Sequence, residues 1–185
     1  MKNKIVTVLT IYCLSFFFSG CNAQTPDSKY DPNGIHWMSF EEAVKLNDAK
    51  PKRIFIDTYT EWCGWCKKMD AATFKDPAVI KYMNDNFYAV KLDAETKDTI
   101  DFHNKQFTYA ADYKTNQIAI DLMQGQMSYP TYTFLDGQYQ LIYNLKGYQT
   151  TEQFLPELHY FAEELYKNNI KLDEYLSKQG TVDQK

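Results

Sequence analysis

Two cysteines stand two residues apart in Trp62-Cys63-Gly64-Trp65-Cys66-Lys67, where an apolar, strand-like run gives way to a helical pattern. That junction constrains the chain more than any other feature: a strand must end, and a helix begin, at a pair of thiols. C-x-x-C spacing lets the two sulfurs close a disulfide. A helix starting at the first cysteine turns unpaired backbone N–H groups and the positive end of the helix dipole toward its sulfur, which favours the thiolate. Cys63 is therefore the candidate nucleophile and Cys66 the resolving thiol.

The other two cysteines, Cys13 and Cys21, lie in a segment with the grammar of an export signal. Lys2 and Lys4 supply its positive start, residues 5–18 an apolar core too short to span a bilayer comfortably, and Ser19-Gly20-Cys21 a small-residue processing site. Ser-Gly-Cys after an apolar core resembles a bacterial lipobox, which implies acylation of Cys21, although Phe18 stands where a lipobox usually has Leu. Cleavage after Ala23 to release a soluble protein, and an uncleaved anchor, are the other readings. Either cleavage leaves Cys63 and Cys66 as the only free thiols, and a pair with no wider disulfide framework around it points to reactivity.

The division that follows is a signal at 1–20, a Pro-, Asp- and Asn-rich linker at 21–34, a domain at 35–170 and a polar tail at 171–185. About 165 residues after the signal suit one domain with a real core. Hydrophobic content of 44% and aromatic content of 16% argue against disorder across most of it. The signal holds two of the twenty basic residues and no acidic one, so the remainder is mildly acidic and no basic stripe suggests nucleic acid.

Ser39 with Glu42 three residues on forms a capping-box pattern for a first helix over 40–48, ended by Lys50-Pro51. Residues 53–59 read as a buried central strand in which Asp57 stands out. The helix from about Cys63 is restarted at Asp76-Pro77, with Asp at the N-cap and Pro at the first position. Residues 87–92 then read as a second strand, parallel to the first across a helical crossover. The polar stretch 94–126 suggests two short helices, around 100–107 and 116–123. Residues 130–135, a turn at Asp136-Gly137 and residues 140–145 predict an antiparallel hairpin. Thr150 with Gln153 opens a last helix toward Tyr166, in which Pro156 predicts a kink or a later start.

This α/β order resembles the thioredoxin fold: a central mixed sheet flanked by helices, here with a partly helical insertion before the strand that carries the proline. The resemblance rests on Asp57 six residues before Cys63, Trp62 directly before it, Lys67 after Cys66, Lys91 in the next strand, and Tyr129-Pro130-Thr131 opening the hairpin. Phe74-Lys75-Asp76-Pro77-Ala78-Val79, Asn86-Phe87 and Val90-Lys91-Leu92-Asp93 resemble one branch more closely. That branch includes the C-terminal periplasmic domain of the thiol:disulfide interchange protein DsbD and related exported thioredoxin-like lipoproteins. The resemblance implies that Cys63 attacks a protein disulfide and Cys66 resolves the mixed disulfide. Asp57 would accept the Cys66 proton, with Lys91 moderating its charge. Tyr129-Pro130 would hold a cis peptide that leaves the next residue's N–H and C=O free for the substrate. Trp62, Gly64 and Trp65 would complete the docking face. It also implies protein disulfide substrates, a membrane protein that donates electrons, and a place at the outer face of a bacterial membrane, by lipid anchor or in solution. Trp65 departs from the Pro of common thioredoxins, and because the residues between the cysteines tune the potential, the direction of electron flow stays open.

The rival readings are bland. A structural bridge closing so short a loop removes little unfolded-state entropy. Half a zinc site lacks its other half, since no second C-x-x-C exists and His36, His103 and His159 are scattered; neither metal nor cofactor is expected. A disulfide oxidase or isomerase, or a redox-silent binding or chaperone module on the same fold, remain alternatives to the reductase.

Overall fold

A computed structural model of the chain describes residues 33–179. The signal, Cys21 and most of the linker lie outside the described residues.

The described chain begins with a short edge strand, β1 (Trp37–Met38), and α1 (Phe40–Ala49). The Ser39 hydroxyl accepts from the Glu42 amide at 3.1 Å and the Glu42 carboxylate from the Ser39 amide at 2.8 Å, the reciprocal closure that the sequence predicts. β2 (Arg53–Tyr59) leads through a turn into α2 (Gly64–Ala71), and Asp76 caps α3 (Pro77–Asn86) by accepting from the Ala78 and Val79 amides at 2.8 and 3.3 Å. β3 (Phe87–Asp93) runs parallel to β2, completing the βαβ unit.

The next stretch corrects one expectation. In place of a helix at 100–107 stand β4 (Ile100–Phe102) and β5 (Lys105–Phe107), an antiparallel hairpin whose turn residues His103 and Asn104 both have positive φ. β6 (Tyr109–Ala110) pairs with β7 (Thr115–Asn116), and α4 (Gln117–Leu122) lies where the second short helix is expected. β8 (Thr131–Leu135) and β9 (Leu141–Lys146) form the antiparallel hairpin. α5 (Thr151–Ala162) starts at its predicted cap and runs through Pro156, so the later start does not occur. α6 (Leu172–Gln179) falls within the stretch expected as a tail, and its Leu172 and Tyr175 pack against the core.

The main sheet has the order β1-β3-β2-β8-β9, parallel through β2 and antiparallel beyond it. β2 is thus central and buried on both faces. Its alternate residues feed two cores. Ile54 and Ile56 pack with Phe40 and Ala43 of α1 and Ile118 and Ala119 of α4; Phe55 packs with Met69 of α2, Val79 and Met83 of α3 and Phe154 of α5. The Phe55 ring is surrounded by those of Trp37, Phe74, Phe87, Tyr132, Phe134 and Phe154 at 5.3–6.4 Å.

Glu157 of α5 also turns inward. It is 5% exposed, its Oε2 has no hydrogen-bond partner among the described residues, and burial lifts its pKa from 4.5 to about 7. Because the folded carboxyl holds its proton more tightly than the unfolded one, its stabilisation is complete below pH 4.5 and is lost as pH rises through about 7. Glu157→Gln should therefore gain on the wild type across that window, by up to about 3 kcal/mol. Urea midpoints of the two proteins are expected to coincide below about pH 4.5, to separate as pH rises to about 7 and to keep a constant gap above it; a separation independent of pH would refute this.

Candidate active site

β2 ends at Tyr59, and the Cys63 amide donates to the Thr60 carbonyl at 3.0 Å, closing the turn that delivers Cys63 to the N-cap of α2. The cysteine performs the capping itself: its Sγ accepts from the Cys66 amide at 3.0 Å. Cys63 and Cys66 are joined, with Sγ–Sγ 2.05 Å, and both are buried, so the structure is that of the oxidised form. In the reduced form the same amide is placed to stabilise a Cys63 thiolate by a charge-assisted hydrogen bond.

Asp57 and Lys91 are register partners on β2 and β3. Asp57 is 1% exposed, and its Oδ2 accepts from Lys91 Nζ at 2.6 Å while Oδ1 has no partner among the described residues. Burial holds the Asp57 carboxyl above its ordinary range; the Lys91 charge and hydrogen bond oppose this, and Asp70 adds to it. Burial works against the Lys91 ammonium too, yet Asp57 and Asp70 outweigh it and hold its pKa above the usual lysine value. Asp70, a residue that sequence reasoning missed, accepts from Lys91 Nζ through Oδ1. It lies four residues after Cys66, on the same face of α2, and that spacing is the signal that would have found it. Trp37, Tyr59 and Phe74 surround the ammonium at 5.0–5.3 Å from their ring centroids.

The expected docking residues gather around the cysteines. Trp62 is 66% and Trp65 56% exposed. The Trp62 indole donates to Glu95 Oε1 at 3.0 Å and meets the Tyr129 ring edge-on at 5.7 Å. Trp65 lies 5.5 Å from Tyr148, and Lys68 Nζ sits over both rings at 5.0 and 4.5 Å. Gly64 opens α2 with nothing within 4 Å of where a Cβ would stand. The Tyr129–Pro130 bond is cis. The Pro130 carbonyl accepts from the Gly147 amide, and Thr131, after the proline, is already in register with Thr58 and Lys146. The Tyr129 N–H and C=O, before the proline, make no backbone hydrogen bond among the described residues. The insertion reaches this face: Asn116 bonds back to the Ala94, Thr96 and Asp98 carbonyls on either side of Glu95.

A parallel strand that ends in a cysteine-capped helix, with an antiparallel hairpin closing the sheet, is the thioredoxin fold, and the dithiol at that cap makes this a thioredoxin-like protein. Residues 27–168 match the family model described as Thioredox_DsbH, protein of unknown function, DUF255, and the chain belongs to that family. Thiol:disulfide interchange protein DsbD of Vibrio vulnificus (strain CMCP6) is 28% identical over 166 residues, covering 83% of this chain and 24% of that protein. Thiol-disulfide oxidoreductase ResA of Bacillus thuringiensis subsp. konkukian (strain 97-27) is 29% identical over 167 residues, covering 82% of this chain and 93% of that protein. A thioredoxin-fold protein from Helicobacter pylori superimposes with a TM-score of 0.57 at 17% identity, over 86% of this chain and 91% of that one, a likeness of fold alone. The chain spans a quarter or less of the length of several curated relatives that it matches. At the level of the family, these relatives and the Cys63–Cys66 pair support thiol–disulfide redox chemistry.

Lys91→Met leaves Asp57 buried without its counter-ion. Breaking a buried pair on one side costs about 3–5 kcal/mol at neutral pH. The folded Asp57 then holds its proton still more tightly, so the loss should shrink as pH falls and the carboxyl is neutralised. Chemical denaturation at neutral and acid pH measures both; an equal loss at the two pH values would show that the charge is not the cause.

Proposed function

We propose that this chain is an exported thiol:disulfide oxidoreductase that reduces disulfides in protein substrates through Cys63 and Cys66. The observation that carries the reading is the Cys63 sulfur at the N-cap of α2, receiving the Cys66 amide at 3.0 Å on a helix tied through Asp70 and Lys91 to the buried Asp57.

In the reduced protein the Cys63 thiolate attacks one sulfur of a substrate disulfide; a new S–S bond forms and the other substrate sulfur leaves as a thiolate. The Cys66 thiol loses its proton to Asp57, attacks the Cys63 sulfur and expels the second substrate sulfur. The substrate gains two electrons and Cys63–Cys66 becomes a disulfide. Lys91 keeps Asp57 from being too strong a base to release the proton again. Trp62 and Trp65 offer apolar surface to the substrate, and the free backbone groups of Tyr129 offer it an N–H and a C=O, in the manner of an added strand. A membrane electron donor returns the protein to the dithiol. Acylated Cys21 holds it at the outer face of a bacterial membrane, in keeping with a described chain in which no helix is long and apolar enough to cross one.

Removing the nucleophile by Cys63→Ser should lower reduction of a model protein disulfide by about 1,000-fold or more. If that variant keeps wild-type activity, or the wild type reduces nothing, the enzyme reading fails in favour of a docking module. Cys66→Ala should accumulate substrates as mixed disulfides on Cys63. Trp65, where common thioredoxins have Pro, makes the potential the deciding measurement for direction: a value of about −270 mV fits a reductant and about −120 mV an oxidant. A fatty-acid analogue should label Cys21, and an unlabelled protein would overturn the lipid anchor in favour of cleavage after Ala23 or an uncleaved anchor.

A further inference from the structure

Asp57 Oδ1, the Tyr132 hydroxyl and Glu157 Oε2 are all buried and all lack a hydrogen-bond partner among the described residues. They are also neighbours in the fold. Tyr132 is the register partner of Asp57 on one side and of Leu145 on the other, so the three side chains cross the sheet in one row on one face. α5 packs over that row. The Tyr132 ring lies 5.5 Å from Phe154, one helical turn before Glu157. Glu157 and Leu145 in turn line a surface cavity of about 850 Å³ between β9, α5 and α6. Resolution by Cys66 leaves a proton on Asp57 in every cycle. Asp57 is sealed from solvent and Lys91 occupies its Oδ2, which leaves Oδ1 as the oxygen through which that proton departs.

We propose that Tyr132 and Glu157 form a proton relay that carries the proton from Asp57 across the core to the cavity beside α6. The proposal rests on the thiol–disulfide exchange reading above and extends it. The protonated Asp57 carboxyl gives its proton to the Tyr132 oxygen, directly or across one water, as Tyr132 passes its own proton to the Glu157 carboxylate. Asp57 ends as a carboxylate, Tyr132 as the neutral phenol it was, and Glu157 as the acid, which releases the proton to solvent in the cavity. No electron moves and no further reactant is consumed.

The electrostatics suit these roles. Tyr132 is held far above the ordinary phenol range by burial first and then by the charges of Asp57, Asp70 and Glu157, with Tyr148 also nearby, so it conducts without ionising. Glu157, raised by burial to about 7, accepts and releases protons near neutrality. Around its cavity stand Asp136 from the β8–β9 turn, Tyr143 from β9, Tyr160 from α5, Tyr166, and Lys171 and Asp173 at the start of α6.

The test isolates the resolving step. Reduced protein is mixed with an aryl disulfide that places a chromogenic thiol on Cys63, and the release of that thiol by Cys66 is followed from about pH 5.5 to 8.5. In the wild type the release rate should rise with an inflection near the Glu157 value. Glu157→Gln and Tyr132→Phe should each slow release by about tenfold at the upper end and flatten the profile. Their combination should be no slower than either alone, because the two act in series. Glu157→Asp, which restores a carboxylate, should regain the inflection. Single variants that keep the wild-type rate and profile, or a double variant slowed by the product of the single effects, would overturn the relay while leaving the exchange reading intact. A wild type that takes up the aryl thiol and never releases it would instead overturn the exchange reading.

Discussion

From the strand beside β2, Lys91 Nζ reaches Asp57 at 2.6 Å, and from the same position it bonds Asp70 on the helix that carries both cysteines. One ammonium group therefore joins β2, β3 and α2 at the end of the sheet where the thiols emerge. As a source of net stability a buried ion pair is weak, since the desolvation of both charges offsets most of their attraction. As a positioning device it is strong. Asp57 can shift only by breaking a bond in the core, and α2 can shift only by pulling Asp70 off Lys91. The aromatic wall of Trp37, Tyr59 and Phe74 keeps the ammonium out of water and replaces part of its lost hydration with ring quadrupoles.

Around that fixed point the exposed face is assembled from separate stretches of chain. Trp62 belongs to the turn before α2, Glu95 to the loop after β3, and Tyr129 to the approach to β8, yet they meet at one indole ring. The insertion is stitched to the loop bearing Glu95 by Asn116, so its length is absorbed beside the redox face without disturbing the register of the main sheet. The rim is thereby drawn from loops and from Trp65 in the first turn of α2, while the dithiol and the buried charges beneath it rest on β2, β3 and α2.

The parts readable from sequence were those in which local and tertiary preferences agree. Ser39–Glu42, Asp76-Pro77 and the apolar run of β2 each have one low-energy use, and the structure puts them to it. The hairpin at 100–107 was misread because Ile100 and Phe107, seven residues apart, fit two turns of a helix as well as they fit facing positions across a tight turn. Its turn residues, His103 and Asn104, both adopt positive φ without the Asn-Gly or Asp-Gly that ordinarily announces such a turn. At the site, Asp57 could be singled out because a carboxylate in a buried strand is conspicuous. Asp70 and Glu157 sit in amphipathic helices where acidic residues are commonplace, and only the packing shows that Asp70 reaches Lys91 and that Glu157 turns inward. Tyr132 reads as an ordinary strand aromatic until its hydroxyl is seen to be buried, unpartnered and under the influence of the Asp57 and Glu157 charges.

The pair between the cysteines is attached to the fold very differently from the cysteines themselves. Gly64 opens onto empty space, and Trp65 lies on the surface against Tyr148 and Lys68. Neither contributes to either core, so a change at these two positions alters the chemistry of the loop without taxing the rest of the molecule. Reduction potential is then a trait that selection, or a protein engineer, can adjust almost independently of stability, and lineages sharing this scaffold are free to run electrons in opposite directions.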